Sequence, residues 1–409
     1  MNAGRKARIA ILYPSDPAGS VPSGVDTFIK GILKFAPADI EYTLMGATSD
    51  PQRRPVGIGQ EVGLGPRPAR FVPITWVDAG GRRGRIPLTV RYLLALRRSI
   101  RSGLLRDFDA FDCHRIEPLV LLRGDRRPRN VVLHTDMSIL RDPDCEIMWR
   151  HAPWLYESIE ARLFPTADRI YSVRQSAVDR YRARFPSIAE RFVFTNTWVD
   201  TQVFFPAEST EARDAARAIF RSQAGLNPAA ELAVFVGRLD RSKDPVLLLQ
   251  AFGHLAARRP NLELVLVGDG VLRGELESSI RESGLAGRVH LMGARTSATI
   301  AELHRAADVF VLSSLYEGMP IALLEAVASG LPVASTRVGE VARVIREGTN
   351  GCIARERSAP ALAAAISAAL DIAGPLQRKQ SAEAIAPFSA EVVLAPIYQN
   401  HRRQAGLQA

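Results

Sequence analysis

Short apolar runs alternate with amphipathic stretches along most of the chain. The runs are rich in valine, leucine and isoleucine without polar alternation, which is typical of strands buried on both faces of a parallel sheet. The first half predicts strands at Arg8–Tyr13, Ile40–Met45, Phe111–His114, Asn130–His134, Arg169–Val173 and Phe192–Thr195. The second half predicts strands at Leu232–Val236, Leu262–Val267, Val289–Met292, Val309–Leu312 and Pro332–Ser335.

The stretches between these strands have the apolar spacing of helices. Predicted helices lie at Asp26–Phe35, Val90–Leu105, Trp154–Leu163, Pro245–Arg258, Val271–Ser283, Ser297–Ala306, Pro320–Ser329 and Ala359–Ala369. Two successive series of strands and helices predict an α/β protein with two doubly wound domains. The series meet near Asn196–Ser209, so residues 1–200 form the first predicted domain. Residues 51–85, rich in glycine, proline and arginine, predict a long irregular excursion.

The charge of the chain is concentrated in one region. The 409 residues include 53 lysines and arginines against 43 acidic residues, a net charge of +10. Residues 51–100 hold ten arginines, with Glu61 and Asp78 as their acidic residues. This local excess predicts an anionic partner for the N-terminal half, which is a nucleic acid, an acidic membrane or a phosphorylated substrate.

The cysteines and the apolar segments argue against a disulfide-rich, a secreted or a membrane-spanning protein. Cys113, Cys145 and Cys352 are too far apart for a disulfide framework or a cysteine-rich zinc site, and free thiols suit a reducing compartment. The apolar run Ile9–Tyr13 is too short for a signal-peptide core, and the weakly charged stretch 319–336 is interrupted by Glu325. We therefore expect a cytoplasmic protein without a membrane span.

A loop and helix in the second half carry the clearest chemical signal. Glu317 follows a buried strand, and Pro320 is predicted as the first residue of the next helix, whose free amides suit an anion or a polar group. Glu325 is the only charged residue between Met319 and Ser329. An unpaired carboxylate on an apolar helix is costly, so Glu325 either reaches the surface or binds hydroxyl groups. The alternative is a capping Glu317 and an incidental Glu325.

Two further strand ends carry candidate ligand groups. Arg238 and Lys243 follow a strand, and Asp244 is predicted to cap the next helix. Two cations beside a helix N-terminus suit a diphosphate, and the alternative is a solvated basic loop. Gly268 and Gly270 open a second strand–helix turn, but their spacing to Gly274 does not fit the dinucleotide fingerprint. We therefore do not expect NAD.

These segments together resemble the retaining nucleotide-sugar glycosyltransferases of family four. The resemblance rests on the spacing of Glu317 and Glu325, the Gly-Arg-Leu…Lys-Asp segment, Val-Gly-Asp-Gly and Ser-Gly-Leu-Pro-Val. It covers residues 231–370 almost continuously and the first half only in scattered pieces. It implies the GT-B fold, two Rossmann-like domains facing across a cleft. The N-terminal domain would then include the C-terminal tail helix, residues 387–409. Residues 201–386 would form the nucleotide-sugar domain.

The resemblance implies a role for each candidate residue. Arg238 and Lys243 would hold the diphosphate, and Glu325 would accept hydrogen bonds from the ribose. The donor sugar would be held by Glu317 and by the backbone of Gly318, Met319, Pro320 and Ile321. Gly293 would contact the base, Gly24 would let a loop approach the phosphate, and His134 would approach the donor sugar. Retention would then proceed by same-face attack without a protein nucleophile.

We expect chemistry without a cofactor or a metal. The patterns Asp107-Phe-Asp109 and Asp142-Pro-Asp144 are similar to manganese-binding pairs of another glycosyltransferase fold, but exposed turns are the favoured interpretation. His134 alone would more often be structural, and it is the resemblance that makes it a catalytic candidate. The nucleotide sugar is therefore expected as a co-substrate, with a GDP- or UDP-linked hexose equally compatible.

The arginine-rich segment has two open interpretations. The predicted helix in residues 86–105 either packs in the domain with a solvated arginine face or lies on an anionic membrane. The membrane interpretation uses the following arginines: Arg82, Arg83, Arg85, Arg91, Arg97, Arg98 and Arg101. A saccharide or lipid-diphosphate-linked acceptor for cell-surface polysaccharide or glycolipid synthesis would then arrive at the inner face of the cell membrane.

Two other classes of protein compete with the transferase. A nucleic-acid-binding protein would explain the charge, but no helix-turn-helix, RNP or zinc pattern is present and aromatic residues do not interleave with the arginines. A GT-B-like sugar-nucleotide epimerase would share the fold and use the donor without an acceptor. The spacing of Glu317 and Glu325 favours the transferase.

Overall fold

The computed structural model describes residues 5–19, 24–64, 68–77, 86–134, 152–372 and 374–407. The chain forms two compact units, Met1–Asn196 with Glu391–Ala409 and Thr197–Ala390. The sequence placed the corresponding boundaries at residues 1–200 with 387–409 and at 201–386. Within the described residues, no helix has the length and apolar character that crossing a bilayer requires.

The N-terminal unit is built on an eight-stranded sheet with helices between its strands. The strands are β1 (Ala7–Leu12), β2 (Ile40–Thr48), β3 (Gln60–Gly63), β4 (Pro68–Trp76), β5 (Ala110–Cys113), β6 (Arg129–Leu133), β7 (Arg169–Ser172) and β8 (Phe192–Phe194). The helices are α1 (Gly24–Lys34), α2 (Leu88–Arg101), α3 (Pro153–Leu163) and α4 (Gln175–Arg184). The strand order is β3-β4-β2-β1-β5-β6-β7-β8, and the chain reverses direction across the sheet between β1 and β5.

The predicted irregular excursion at residues 51–85 is wrong over its central part. β4 pairs in parallel with β2, and β3 pairs antiparallel with β4 at the sheet edge. Phe71, Val72 and Ile74 are buried, so this segment is a core strand. The sequence did not predict this strand because Pro73 interrupts its apolar run. The structure accommodates Pro73 at a shift of register, where Gly46 pairs with Pro73 and Ala47 with Thr75.

The C-terminal unit is built on a six-stranded parallel sheet. Its strands are β9 (Glu231–Val236), β10 (Leu262–Val267), β11 (Val289–Gly293), β12 (Val309–Leu312), β13 (Val333–Ser335) and β14 (Gly351–Ile353). Its helices are α5 (Thr210–Ala224), α6 (Pro245–Ala256), α7 (Arg273–Glu282), α8 (Ser297–Ala306), α9 (Ile321–Ala328), α10 (Ala359–Asp371) and α11 (Pro375–Ile385). The order β11-β10-β9-β12-β13-β14 is that of a doubly wound nucleotide-binding sheet.

Both faces of the C-terminal sheet are covered by apolar cores. On β9, Leu232 and Val234 lie in one buried cluster, and Ala233 and Phe235 lie in the other. This is the packing that unbroken apolar strands predict for a parallel sheet. Two Rossmann-like α/β domains are therefore confirmed.

The chain ends in helix α12 (Ala390–Gln404), most of which belongs to the N-terminal unit. Tyr398 donates its hydroxyl hydrogen to the carbonyl of Ile32 over 3.0 Å. Gln404 donates to the side-chain oxygen of Asn130 over 2.9 Å. These contacts fix α12 to α1 and β6.

Candidate functional site

The candidate site of the C-terminal unit lies where the strand order reverses. β9 and β12 are neighbours, and the chain winds outward from them in opposite directions. In such sheets, ligands bind outside the carboxyl ends of the strands at this switch point. Lys243 follows β9, Glu317 follows β12, and the ammonium of Lys243 donates to Oε1 of Glu317. The structure therefore brings these two predicted residues into direct contact.

Neighbouring side chains hold this ion pair in place. Ser314 donates its hydroxyl hydrogen to the same Glu317 oxygen over 2.8 Å. Ser313 donates to the carbonyl of Lys243 over 2.8 Å, and both serines are fully buried. The side chains of Lys243 and Glu317 keep 24% and 11% of their exposure, so the pair remains within reach of a ligand. Sequence reasoning missed the two serines, because in the sequence they mark only the end of a strand.

Gly339 is a further site residue that sequence reasoning missed. A Cβ atom at this position would lie 2.1 Å from the carbonyl oxygen of Gly318 and 2.5 Å from that of Glu317, and its φ is +46°. The amide of the next residue, Glu340, donates to the Gly318 carbonyl over 2.9 Å. Only glycine permits this approach, because any side chain would push the Glu317 loop away. The signal in the sequence was a single glycine after β13, which is too common to be specific.

The start of α9 differs slightly from the prediction. Pro320 is the N-cap and Ile321 is the first helical residue, because the φ and ψ angles of Pro320 are −70° and 122°. The first amides of the helix have no carbonyl partner one turn earlier and remain able to bind a ligand. The Met319 side chain is buried in the core, so this residue offers only its backbone to the site.

The loop after β9 presents its second cation differently. Arg238 is 68% exposed, and its guanidinium lies 2.9 Å from Asp240. Asp240 also accepts hydrogen bonds from Ser242 and from the amide of Lys243, which shapes the loop. Asp244 caps α6 by accepting from the amide of Leu247, as predicted. Arg238 is thus a long, exposed side chain at the rim, whereas Lys243 is held by its partner.

Glycines let three strand ends approach one another. A Cβ atom on Gly268 would lie 1.8 Å from the carbonyl oxygen of Gly237, and the φ of Gly268 is +135°. The amide of Gly268 donates to the carbonyl of Gly293 over 2.9 Å. These contacts join the ends of β9, β10 and β11 and place Gly293 beside the same edge of the sheet. These glycines therefore allow close packing of the turns.

Glu325 lies on α9 in a half-buried position. Burial raises the pKa of its carboxyl from 4.5 to about 7, and the negative charge of Asp200 adds to this rise. The carboxyl group is therefore divided between its neutral and ionised forms near neutral pH. A group in this state can accept hydrogen bonds from hydroxyl groups once a ligand stabilises the ionised form.

Two predicted site residues belong to the N-terminal unit. Gly24 is the exposed first residue of α1. His134 follows β6, and its Nε2 lies 3.1 Å from Nδ1 of His114. Burial lowers the pKa of His134 well below its ordinary value, and His114 adds to this effect. The imidazole of His134 is therefore uncharged at neutral pH.

Of the two Asp-x-Asp patterns, Asp107-Phe-Asp109 lies within the described residues. Asp109 accepts hydrogen bonds from the guanidinium of Arg5 and the amide of Arg8. The pattern Asp142–Asp144 lies outside the described residues. Within the part of the chain that the structure describes, no three His, Cys, Asp or Glu side chains are grouped to hold a metal ion.

The arginine-rich helix α2 has a mixed outer face. Val90 and Leu94 are 45% and 47% exposed, and they continue at helical spacing into the exposed Arg97 and Arg101. Arg91 lies over the ring of the half-exposed Trp76, with 5.5 Å between guanidinium and ring centre. Arg98 is exposed as well. Three arginines of the predicted surface, Arg82, Arg83 and Arg85, lie outside the described residues.

Comparison with known families agrees with this geometry. Residues 216–386 match the model of the family described as Glycosyl transferases group 1. This match lies within the C-terminal unit. The matched residues include Lys243, Glu317, Gly339 and Glu325, so the site described above lies within the matched region.

Curated proteins similar to this chain are glycosyltransferases. The D-inositol 3-phosphate glycosyltransferase of Paenarthrobacter aurescens is 29% identical over 54% of this chain and 53% of its own length. The alpha-D-kanosaminyltransferase of Streptomyces kanamyceticus is 27% identical over 75% of this chain and 78% of its own length. The chain thus spans about half the length of the first of these relatives.

Solved structures share the fold of this chain. Sucrose-phosphate synthase from Thermosynechococcus elongatus superimposes with a TM-score of 0.77 at 21% identity, covering 98% of this chain and 99% of its own. HepE from Anabaena in complex with UDP-glucose has a TM-score of 0.69 at 18% identity, covering 98% and 99%. WaaG, a glycosyltransferase involved in lipopolysaccharide biosynthesis, has a TM-score of 0.65 at 17% identity, covering 97% and 98%. The GT-B fold is therefore shown.

Proposed function

We propose that this protein is a retaining hexosyltransferase that uses a GDP- or UDP-linked hexose. Its acceptor is a saccharide or a lipid-linked saccharide in the synthesis of a cell-surface polysaccharide or glycolipid. One observation carries the proposal: the Lys243–Glu317 pair stands at the switch point of a nucleotide-binding sheet, beside the free amides of α9. A cation, a carboxylate and a helix N-terminus match the diphosphate and the hydroxyls of a nucleotide sugar.

When the donor binds, Lys243 of the pair holds the diphosphate and Glu317 holds the sugar. Lys243 exchanges its contact with Glu317 for the diphosphate, and Arg238 joins from the rim. Both cations then stabilise the charge that grows on the diphosphate as the glycosidic bond breaks. Glu317, released from the cation, accepts hydrogen bonds from sugar hydroxyls, and the amides at the start of α9 donate to them. Ser314 and Gly339 keep Glu317 in place through this exchange.

The remaining candidate residues bind other parts of the donor. Glu325 accepts hydrogen bonds from the ribose, the backbone at Gly293 contacts the base, and Gly24 leaves room beside a phosphate. His134 is uncharged and acts on the donor sugar as a hydrogen-bond partner. In the proposed same-face attack, the departing phosphate accepts the proton of the acceptor hydroxyl. No protein nucleophile and no metal ion takes part.

The transferase class receives support from the relatives. Of the relatives named above, one is a D-inositol 3-phosphate glycosyltransferase and another is an alpha-D-kanosaminyltransferase. Because these relatives are transferases, the epimerase alternative is not favoured. The nucleic-acid-binding alternative has only the basic charge of the chain in its favour.

Product analysis tests the proposal. The enzyme is incubated with GDP-mannose, UDP-glucose or UDP-galactose and a lipid-linked saccharide extract, and the product linkage is determined by NMR. We expect transfer from one nucleotide sugar with the anomeric configuration of the donor retained, and full activity in EDTA. An inverted product would refute the retaining mechanism, whereas release of a free epimer without transfer would refute the transferase.

We also propose that the N-terminal unit contacts an anionic membrane from the cytoplasmic side. The exposed stripe Val90, Leu94, Arg97 and Arg101 of α2 offers apolar tips beside cations, which suits an acidic lipid surface. Cosedimentation with phosphatidylglycerol vesicles at low salt is expected, and little with phosphatidylcholine vesicles.

Charge reversal provides the control for membrane binding. Arg97→Glu with Arg101→Glu is expected to abolish the cosedimentation. Arg258→Glu with Arg281→Glu makes the same change of charge at exposed positions of the C-terminal unit and is expected to have little effect. Equal loss in both double variants would show that net charge alone, and not α2, binds the vesicles.

A further inference from the structure

A chain of buried polar side chains crosses the N-terminal unit behind His134. The hydroxyl oxygen of Tyr42, on β2, lies 2.7 Å from Nδ1 of His401. Nε2 of His401, on α12, lies 3.0 Å from Oδ1 of Asp112 at β5. The next residue but one, His114, places its Nδ1 3.1 Å from Nε2 of His134. His401, Asp112 and His114 are at most 3% exposed.

The two imidazoles at the end of this chain form a close pair. Their rings stack with centroids 5.3 Å apart and planes inclined by 18°. Phe28 packs edge-on against His134, with 5.3 Å between centroids. Burial lowers the pKa of His114 to about 4 and holds that of His134 low as well. Both rings are therefore uncharged at neutral pH, so one nitrogen of the contact must donate and the other must accept.

The surroundings of His114 decide which nitrogen donates. Its second nitrogen, Nε2, is buried and has no hydrogen-bond partner among the described residues. A buried N–H group without a partner is rarer than a buried lone pair without one. His114 therefore carries its proton on Nδ1 and donates it to Nε2 of His134. His134 must then carry its own proton on Nδ1.

We propose that His114 is a positioning residue that fixes the ring and the tautomer of His134, so that His134 offers an Nδ1–H donor to its ligand. The identification of that ligand as the donor sugar rests on the proposed function, but the tautomer does not. The N–H donor suits a hydroxyl or phosphate oxygen. Asp112 and His401 hold β5 and α12 together behind this pair.

Nitrogen NMR tests the tautomer directly. The chain has seven histidines, and the protein is labelled with ¹⁵N-histidine. The signals of His134 and His114 are assigned from His134→Gln and His114→Gln. We expect His134 as the Nδ1–H tautomer, uncharged from pH 6 to pH 8 because burial disfavours its charged form. An Nε2–H tautomer or a charged ring in this range would overturn the proposal.

Two substitutions of His114 separate positioning from packing. His114→Phe keeps an aromatic ring beside His134 but removes the hydrogen bond, whereas His114→Gln keeps an amide donor and loses the ring. If His114 acts by hydrogen bonding, His114→Phe lowers kcat by about tenfold or more with little change in KM, and His114→Gln recovers part of the rate. If His114 only packs, the Phe variant is the more active one, which would overturn the proposal.

The outcomes also separate this inference from the proposed function. The tautomer of His134 in the wild-type protein and its change to a mixture in His114→Phe are read without any substrate. If these NMR results hold and no sugar transfer is found with any donor, the proposed function fails and the positioning role stands. If transfer is found and the tautomer is unchanged in His114→Phe, the positioning role fails alone.

Discussion

Replacement of Glu325 by glutamine separates stability from donor binding at one position. Glutamine has the same shape and stays uncharged at every pH. Glu325 is half-buried on α9, and burial raises its pKa from 4.5 to about 7, with Asp200 as the second cause. The substitution therefore removes a charge that the folded protein accommodates poorly.

The size of the effect follows from the pKa. A group whose pKa is higher in the folded state leaves stability intact below pH 4.5 and reduces it as the pH rises to about 7. At about 1.4 kcal/mol for each pKa unit, the full cost is about 3–4 kcal/mol above neutral pH. Solvent at the exposed part of the side chain reduces this cost. We therefore expect the free energy of unfolding of Glu325→Gln to exceed that of the wild type by about 1.5–3 kcal/mol at pH 8.

Hydrogen exchange measures the change in stability locally, around Glu325. It does not assume two-state unfolding, which a chain with two units need not follow. The amides of α9 are followed by mass spectrometry in both proteins, each compared at the same pH. We expect little difference at pH 5 and slower exchange in Glu325→Gln at pH 8, by a factor corresponding to that free energy. The amides of β7 in the other unit serve as the internal control and should not change.

Donor binding should respond in the opposite direction. The ionised carboxylate accepts hydrogen bonds from ribose hydroxyls better than a neutral carboxyl does, so the affinity for the nucleotide sugar should rise between pH 6 and pH 8. In Glu325→Gln the affinity should be lower and independent of pH in this range. A variant with wild-type affinity, or exchange rates in α9 that do not differ between the two proteins at pH 8, would refute this reasoning about Glu325.

Other substitutions test the remaining parts of the site. His134→Ala should abolish transfer and leave donor affinity intact, as measured by kcat and calorimetry; near-normal turnover would exclude a catalytic His134. Gly339→Ala should lower stability by about 2–4 kcal/mol in thermal unfolding and weaken donor binding, because its methyl group meets two carbonyl oxygens. Gly348→Ala, also at positive φ but with open space around it, is the matched control and should cost about 1–2 kcal/mol. Activity should survive EDTA, and a loss that Mn²⁺ restores would contradict the metal-free mechanism.

Much of the fold was accessible from the sequence because buried parallel strands have unbroken apolar runs. β10, β12 and α8 have the predicted bounds. β4 was missed because Pro73 divides its apolar run, and only pairing with β2 shows that a shift of register absorbs the proline. The antiparallel β3 is short and half-polar, so nothing distinguishes it from a loop.

The part of the candidate site that was predictable consists of residues that directly follow strands. Lys243 and Glu317 follow different strands, and their contact follows once those strands are neighbours at the switch point. The approach of Gly339 to the Glu317 loop depends on a third strand and on backbone atoms, which no pattern of residue types records. The partner of His134 was missed for a similar reason, because His114 follows another strand, β5, and resembles an ordinary core residue.

Calorimetric titration of the full chain with intact nucleotide sugars tests the central claim most directly. The claim is that the Lys243–Glu317 pair binds the diphosphate sugar. The wild type should bind either GDP-mannose or a UDP-hexose, and Lys243→Gln should weaken that binding by about 2 kcal/mol, roughly 30-fold. Lys379→Gln, an exposed lysine of α11, should bind as the wild type does. Unchanged binding in Lys243→Gln, or no binding of any nucleotide sugar by the wild type, would contradict the account.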